Sequence, residues 1–444
     1  MNKLVKRWER FSIASLVEGH SDDRGRLFLS ELGQENLEGV RVLHHGLDTV
    51  KQLYSGVLRV DVLADVSERF QAGFGECIEL GGHVWAVGSG GASGYQYRLQ
   101  NSDLGLICFL KSRYCEQTDE GSHVKIEASP HWIYPRSDEQ MHAELGVLAG
   151  CFLERAVPSG VAVHLCVDVQ GWEPAKDFQD TLITRARRSS VHSGGNVSYM
   201  NMGEIASVFG NGQSYLFGSA STVQFAMYRK DVQAKAADKM DFWANVWSQA
   251  PGESFDRSAY DPERPVWRLE FRFHHSVLAD FGRGMAQDMD YGFSFQSAVW
   301  AGLRGVCGHL QGLWAYGLNS FRSERRVSAR GARYYAPMWQ FLLDDVRWSC
   351  PDGDFAYRRV KKTPGVGNEK NLMLALGNLL SVYARNGFNA TRAYACIKAS
   401  GIYDDLYNYF EKRAYFRLQC FQESDIYQFV EKALNLRVLQ GRAA

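Results

Sequence analysis

Apolar and polar positions change their period along this chain. Up to about residue 285, Val, Ile, Tyr and Phe fall in short runs bounded by Gly, Ser, Asn or Pro, the mark of strands. The runs are Leu43–Tyr54, Gly94–Leu99, Leu104–Lys111 and His123–Ser129, then Val161–Val169, Gln213–Ser219, Val223–Lys230 and Val266–Phe273. In the last, every second residue is apolar, so Arg268, Glu270 and Arg272 share the opposite face. Past residue 290, Val299, Leu303, Val306, Leu310 and Leu313 recur at helical spacing, with Gly302, Gly305, Gly308 and Gly312 opening one side to another helix. Further helices are predicted over Asn371–Ala384, Thr391–Ala399, Asp404–Phe421 and Ser424–Leu436, and Asp352–Lys370 is the linker candidate. The expected fold class is α+β, an antiparallel-sheet core followed by a mainly helical C-terminal domain. Its segments are 1–40 as an N-terminal piece, 41–150 and 151–285 as two α+β halves, and 286–444 as the helical part.

The two halves invite comparison. Each has an early strand with an aspartate, Asp48 and Asp168, and a strand leading to a lysine, Lys111 and Lys230. Each closes on a basic–apolar–Glu triplet, Lys125-Ile126-Glu127 and Arg268-Leu269-Glu270. This predicts a duplicated unit in which only the second copy has a tyrosine, Tyr228, two residues before its lysine.

Composition narrows the class. With 444 residues, 45% hydrophobic and 23% charged, the chain can bury one large or two medium cores. Nine cysteines without a CxxC pair read as reduced thiols, and the charged N-terminus lacks a secretory signal, so a cytoplasmic protein is expected. The longest uncharged stretch, between Arg304 and Arg322, contains His309, Gln311, Asn319 and several glycines and reads as a buried helix, so no membrane partner is expected. Net charge is zero, yet Phe321–Lys370 has eleven Lys/Arg against six Asp/Glu. There Arg322, Arg325, Arg326, Arg330 and Arg333 lead into Tyr334 and Tyr335, a composition suited either to phosphate contacts and base stacking or to a solvated loop.

The candidate chemistry lies between Val161 and Phe273. The strand Val163–Asp168 places His164, Cys166 and Asp168 on one face, Tyr228 and Lys230 are two apart, and Arg268, Glu270 and Arg272 follow. If these strands are neighbours, they bring together a phenol, acidic residues for a hard divalent metal, and cations for a phosphate. Taken singly, each segment also fits an amphipathic edge or a ladder of surface ion pairs. The pairs His44-His45 and His274-His275 are adjacent and point to opposite faces, so they do not form a His-hydrophobic-His metal motif. Gly88-Ser89-Gly90-Gly91 lacks the Gly-Lys-Ser ending of a nucleotide loop and reads as a turn.

The order of an aspartate-bearing strand, Phe217-Gly218-Ser219-x-Ser221, a short strand, Tyr228-x-Lys230 and Arg268-x-Glu270 resembles the Rep_trans replication initiation factors of rolling-circle plasmids and filamentous phages. The resemblance covers roughly residues 40–280. It implies a replication initiator that nicks one strand of origin DNA through a 5′-phosphotyrosyl bond at Tyr228, leaving a 3′-hydroxyl. It also implies that Asp168 and Glu270 bind Mg2+ or Mn2+, that Lys230 stabilises the phenolate or phosphate, and that Arg268 and Arg272 hold the phosphate. His164 stands where many relatives have an acidic residue and is a candidate third ligand. The expected partners are duplex and single-stranded origin DNA and a host helicase and polymerase, and a homodimer is compatible with this. A relaxase of a conjugative element with the same chemistry, and a DNA-binding regulator without catalysis, are the alternatives. Tyr199 and Tyr215 are the competing tyrosines, and both read as structural.

Overall fold

The computed structural model describes residues 4–12, 25–73, 75–175, 177–186, 188–192, 214–250, 259–288, 299–328, 330–351, 355, 357–361, 369–416 and 420–442. The chain divides into two compact units, Met1–Lys361 and Lys362–Ala444.

In the first unit the alternating runs become strands. In chain order they are β1 (Val5–Lys6), β2 (Glu9–Phe11), β3 (Leu27–Ser30), β4 (Gly33–Asn36), β5 (Arg41–Gly56), β6 (Cys77–Leu80), β7 (His83–Ser89), β8 (Tyr95–Asn101) and β9 (Leu106–Ser112). Then follow β10 (Gly121–Ala128), β11 (Val157–Gln170), β12 (Leu182–Thr184), β13 (Ser189–His192), β14 (Ser214–Gly218), β15 (Val223–Arg229), β16 (Val266–Phe273), β17 (Phe321–Arg326) and β18 (Arg333–Tyr335). Eleven of these form one sheet in the order β13-β14-β15-β16-β11-β5-β10-β9-β8-β7-β6, every pair antiparallel.

The two longest strands, β5 and β11, therefore pair at the centre. Outward from β5 run β10, β9 and β8, and outward from β11 run β16, β15 and β14. Lys125 faces Phe109 across β10–β9, and Arg268 faces Tyr228 across β16–β15. The pairing of Asp48 with Asp168 expected from sequence does not follow this register. The residue opposite Lys125 on β5 is Leu53, whereas the residue opposite Arg268 on β11 is Asp168.

Asp48 owes its place to a bulge. His164 pairs with Thr49 and the next residue, Leu165, with Leu47, so Asp48 is an extra residue in β5. Such an insertion bends the strand and re-aims the extra side chain.

One side of the sheet packs into the main core, which includes Val50, Leu99, Cys108, Leu110, Val124, Ile126, Val163, Leu165, Leu269 and Phe271. The helix Asp138–Gly150 adds Met141, Leu145 and Leu148 to this core after a Ser137 capping box. The other side is covered over β11 and β16 by the helices Lys230–Ala236 and Met240–Ser248, whose Ala234, Trp243, Val246 and Trp247 pack on Leu43 and Val266.

The boundary expected at residue 286 falls instead within the predicted linker, at Lys361/Lys362. Residues after 286 stay with the sheet because they complete its core: Leu303, Val306, Leu313, Trp314 and Trp339 are buried there. Polar ties hold them too. The buried Gln52 side chain accepts from the Leu303 N–H and donates to the Ala301 carbonyl, each at 2.9 Å, and the Trp8 N–H donates to Gln340 at 2.8 Å. The expected long helix is two short ones, Leu303–Cys307 and Leu310–Ser320. Among the described residues it is the Tyr357 ring that meets Gly312, where a Cβ would collide with it, and Phe271 that meets Gly317 in the same way. Nor is the arginine-rich segment helical, since Phe321–Tyr335 is the β17–β18 hairpin, flanked by β1 and β12.

The second unit has four described helices: Glu369–Arg385, Ala390–Lys398, Tyr403–Phe416 and Glu423–Arg442. Pairs four apart, Leu376/Leu380, Ala393/Ile397 and Ile426/Val430/Leu434, make its core with Leu406. Residues 362–444 hold eleven Lys/Arg and seven Asp/Glu, so the zero net charge of the chain divides into a cationic second unit and an anionic first one. No described helix is long and apolar enough to cross a membrane.

All eleven tryptophans lie at or before Trp348, in the first unit. Because the second unit has its own core, Ile426→Ala is expected to cost it about 2–5 kcal/mol. Urea titrations should show the loss in far-ultraviolet circular dichroism while the tryptophan-fluorescence midpoint stays in place. A matching shift of the fluorescence midpoint would mean that the two cores unfold as one.

Candidate active site

The rows of the sheet set the site. Register places Asp168, Arg268 and Tyr228 side by side on β11, β16 and β15. Two residues along lie Cys166, Glu270 and Ala226, and two further His164, Arg272 and Gln224. All point to the side opposite the main core, as the alternation predicts. Far from being a solvated ladder, Arg268 has no solvent exposure, Glu270 has 1% and Tyr228 4%.

Charges this deep are tolerated only when paired, and they divide into two groups. In the first, Asp168 accepts from Arg268 through both oxygens, at 2.6 and 2.7 Å, and from the Trp247 indole N–H at 2.8 Å. Arg268 also donates to Asp48, and its guanidinium lies 4.1 Å from the Trp243 ring centroid. Burial alone would raise the Asp168 carboxyl, but the Arg268 cation holds it below its ordinary value. Asp168 is thus enclosed and committed to Arg268. Contrary to the expectation that it binds the metal, its oxygens are taken by Arg268 and Trp247. Arg268 is likewise committed to carboxylates rather than presented to a phosphate.

The second group surrounds Glu270. Tyr228 donates its hydroxyl proton to Glu270 Oε2 at 3.0 Å, Arg272 Nε donates to Oε1 at 2.7 Å, and His164 Nδ1 lies 3.0 Å from Oε1. Burial pushes the Glu270 carboxyl up, and Arg272 and His164 overcome it and hold the group well below its usual range. Burial, with the neighbouring Glu270 charge, pushes the Tyr228 phenol well above its ordinary value. Lys230 stands at the start of its helix rather than on β15, with Nζ 3.9 Å from Asp48 and 4.5 Å from the Trp243 ring. Burial and the nearby Arg268 cation lower its ammonium to about 8.

Asp48, His164 and Glu270 offer ligand atoms that all lie within 4.8 Å of one another. Two carboxylates and an imidazole are a donor set that fits Mn2+ and, less closely, Mg2+. Asp48 went unrecognised as a ligand because strict alternation gives no reason for its side chain to turn this way. The signal was in the spacing of buried positions: Leu47 to Val50 is three residues, where Val50, Gln52 and Tyr54 step by two.

A cavity of about 640 Å3 joins Tyr228, Lys230, Glu270 and Arg272 to Lys51 and Glu127 across the sheet. Tyr215 points into the main core against Phe178, 5.4 Å between ring centroids. Tyr199 lies outside the described residues. Among the arginines of the hairpin, Arg322 and Arg333 pair with Glu324 and Arg325 with Glu35, while Arg325, Arg326 and Arg330 are exposed.

The chain is 37% identical over 385 residues to the uncharacterized protein ORF430 of Pseudomonas phage Pf1, a match covering 84% of this chain and 85% of that protein. No family model and no solved structure matches the chain.

Removing Asp168 takes two of the three carboxylate hydrogen bonds from the buried Arg268 and leaves it with Asp48 alone. Asp168→Ala is therefore expected to destabilise the first unit by about 3–5 kcal/mol, read from the tryptophan-fluorescence unfolding curve. A loss below about 1 kcal/mol, within the range of a surface ion pair, would mean that the residue is open to solvent after all.

Proposed function

We propose that this chain, which belongs to one family with the ORF430 protein of phage Pf1, is a metal-dependent tyrosine nickase that starts rolling-circle replication of its parent DNA. One observation carries the reading. The Tyr228 hydroxyl is hydrogen-bonded to Glu270, which belongs to a three-residue metal-donor cluster, in a cavity also lined by Lys230 and Arg272. The resemblance to the Rep_trans initiators points to the same tyrosine. The phage relative favours a phage element over a conjugative one, and the cationic second unit and the exposed Arg325, Arg326 and Arg330 suit contacts to duplex origin DNA.

Asp48, His164 and Glu270 would hold the metal, Mn2+ or Mg2+. When bound, such a cation supplies positive charge that stabilises a phenolate and the phosphoryl oxygens. The Tyr228 oxygen passes its proton to Glu270 and forms the bond to phosphorus, the bond from phosphorus to the 3′-oxygen breaks, and the released 3′-oxygen takes up a proton from the Lys230 ammonium. Glu270, kept ionised by Arg272 and His164, accepts the phenol hydrogen bond and orients the oxygen. Lys230, lowered to about 8, exchanges a proton near neutral pH and faces the phosphate as an ammonium. Arg272, bound to Glu270 along one edge and to Gln224 through its remaining nitrogen, lines the cavity and brings its positive charge to the phosphate, while Arg268 acts at one remove by holding Asp48.

The common strand order around the β5–β11 pair, with Lys125 opposite Phe109 and Arg268 opposite Tyr228, supports a duplication in which the first copy lost its tyrosine.

The test is covalent capture. Incubated with Mn2+ and a single-stranded oligonucleotide from the parent element's origin, the protein should form a DNA adduct that survives denaturation and maps to Tyr228. Tyr228→Phe should form none while still binding the oligonucleotide. Recovery of the DNA on a Tyr215 peptide would overturn the assignment.

Metal binding is measured apart from catalysis, by electron paramagnetic resonance of Mn2+. Asp48→Ala and Glu270→Ala should each weaken it by at least about tenfold, the lower end of what even an outer partner of a metal ligand costs. Unchanged Mn2+ binding in both variants would remove the proposed metal site.

A further inference from the structure

The first half of the sheet has an open side that continues the catalytic cavity. Lys51 pairs in register with Ala162, two residues from His164, so it faces the same way as the site. From Lys51 the same side runs on through Glu127 and Ile107, and one row along through Leu53, Lys125, Phe109 and Arg98. The opposite side of these strands, with Leu99, Cys108, Leu110, Val124 and Ile126, is the one packed in the main core. Arg98 is exposed, and Lys51, Leu53, Ile107, Lys125 and Glu127 are half-buried.

The charges here are fixed in place. Glu127 lies 3.4 Å from Lys51 and 2.7 Å from Lys125, so it cancels one of the two lysines and anchors both. Lys125 rests over the Phe109 ring, 4.2 Å from its centroid. With Arg98, this leaves a cationic strip over an apolar floor of Leu53, Ile107 and Phe109. At one end it opens into the cavity of Tyr228 and Arg272. From β15 to β8 is six strand spacings, about 29 Å at about 4.8 Å each. That is room for roughly eight stacked nucleotides at about 3.4 Å.

We infer that this strip is a track for single-stranded DNA leading to Tyr228, with Lys51, Lys125 and Arg98 as its phosphate contacts. The inference rests on the nickase reading and adds the path of its substrate. A flexible polyanion is the occupant because the cations lie along a line continuous with the nucleophile, and a single strand, its bases free of a complementary strand, can use the apolar floor. Duplex is too stiff and too wide to follow that floor into the cavity.

Fluorescence anisotropy with labelled oligothymidylates of graded length, in EDTA, tests the track without catalysis. Affinity should rise with length and level off near eight nucleotides. The Lys51→Ala/Lys125→Ala/Arg98→Ala protein should bind about ten- to a hundredfold more weakly near 0.1 M salt, with the slope against log salt reduced by about 2, since each single-strand phosphate contact contributes about 0.7. Arg98→Glu alone, at an exposed position that does not threaten folding, should show a smaller loss in the same direction. Arg69→Ala, on the helix Val60–Ala72 that packs on the core side, serves as the control. Unchanged affinity and slope in both track variants overturn the proposal. The adduct assay is scored separately on the unaltered protein. An adduct at Tyr228 with normal binding by the variants removes only the track, whereas weakened binding with no adduct on any oligonucleotide removes only the nickase reading.

Discussion

An arginine without solvent exposure sits near the middle of an eleven-stranded sheet, and its charge has to be answered where it lies. Arg268 donates two hydrogen bonds to Asp168 and a third to Asp48, and rests against the face of Trp243. Desolvating such a group costs several kcal/mol, so these partners cannot be loosely placed. Asp168 must stand opposite it, which holds β11 in register with β16. Trp247 must reach Asp168, which docks the helix Met240–Ser248 over the sheet. The bulge in β5 must turn Asp48 inward.

The same demand separates two carboxylates that look alike along the chain. Asp168 and Glu270 each lie beside an arginine in the same sheet face, and both stay ionised. Asp168 has its oxygens occupied by Arg268 and Trp247. Glu270 is held as closely, by Arg272 on both oxygens with Tyr228 and His164 beside it, but unlike Asp168 it lines the cavity. One carboxylate organises the interior, and the other borders the cavity. Lys230, which shares Asp48 with Arg268, has its ammonium lowered by burial and by the Arg268 cation, an arrangement suited to moving protons near neutral pH.

Charge is arranged on a larger scale too. The zero net charge conceals a cationic unit of four helices and an anionic unit built on the sheet. Within the anionic unit the cavity still gathers Lys51, Lys230 and Arg272. Average composition conceals such an arrangement, because a charge in solution responds to others within about 8–10 Å, not to the sum over the chain.

Much of this was readable from residue order. The strands from β5 to β16 that carry the site were visible as alternating runs, as were the four helices after residue 369, because period follows directly from which face is buried. The facing of Arg268, Glu270 and Arg272, and of His164 with Asp168, also followed from alternation. The missed strands β1 to β4, β6, β7, β12 and β13, and the hairpin Phe321–Tyr335, are mostly short, and some of them pair with segments distant in the chain, as β1 does with β18 and β12 with β17. Which acidic residue lies beside which cation was not local information either. Asp48 and Arg268 are 220 residues apart, and they meet because one extra residue in β5 breaks the two-residue repeat. The sequence by itself determined the periods, and with them the elements and faces. Only the tertiary structure decided the partners, because burial makes every charge choose the nearest opposite charge in space rather than along the chain.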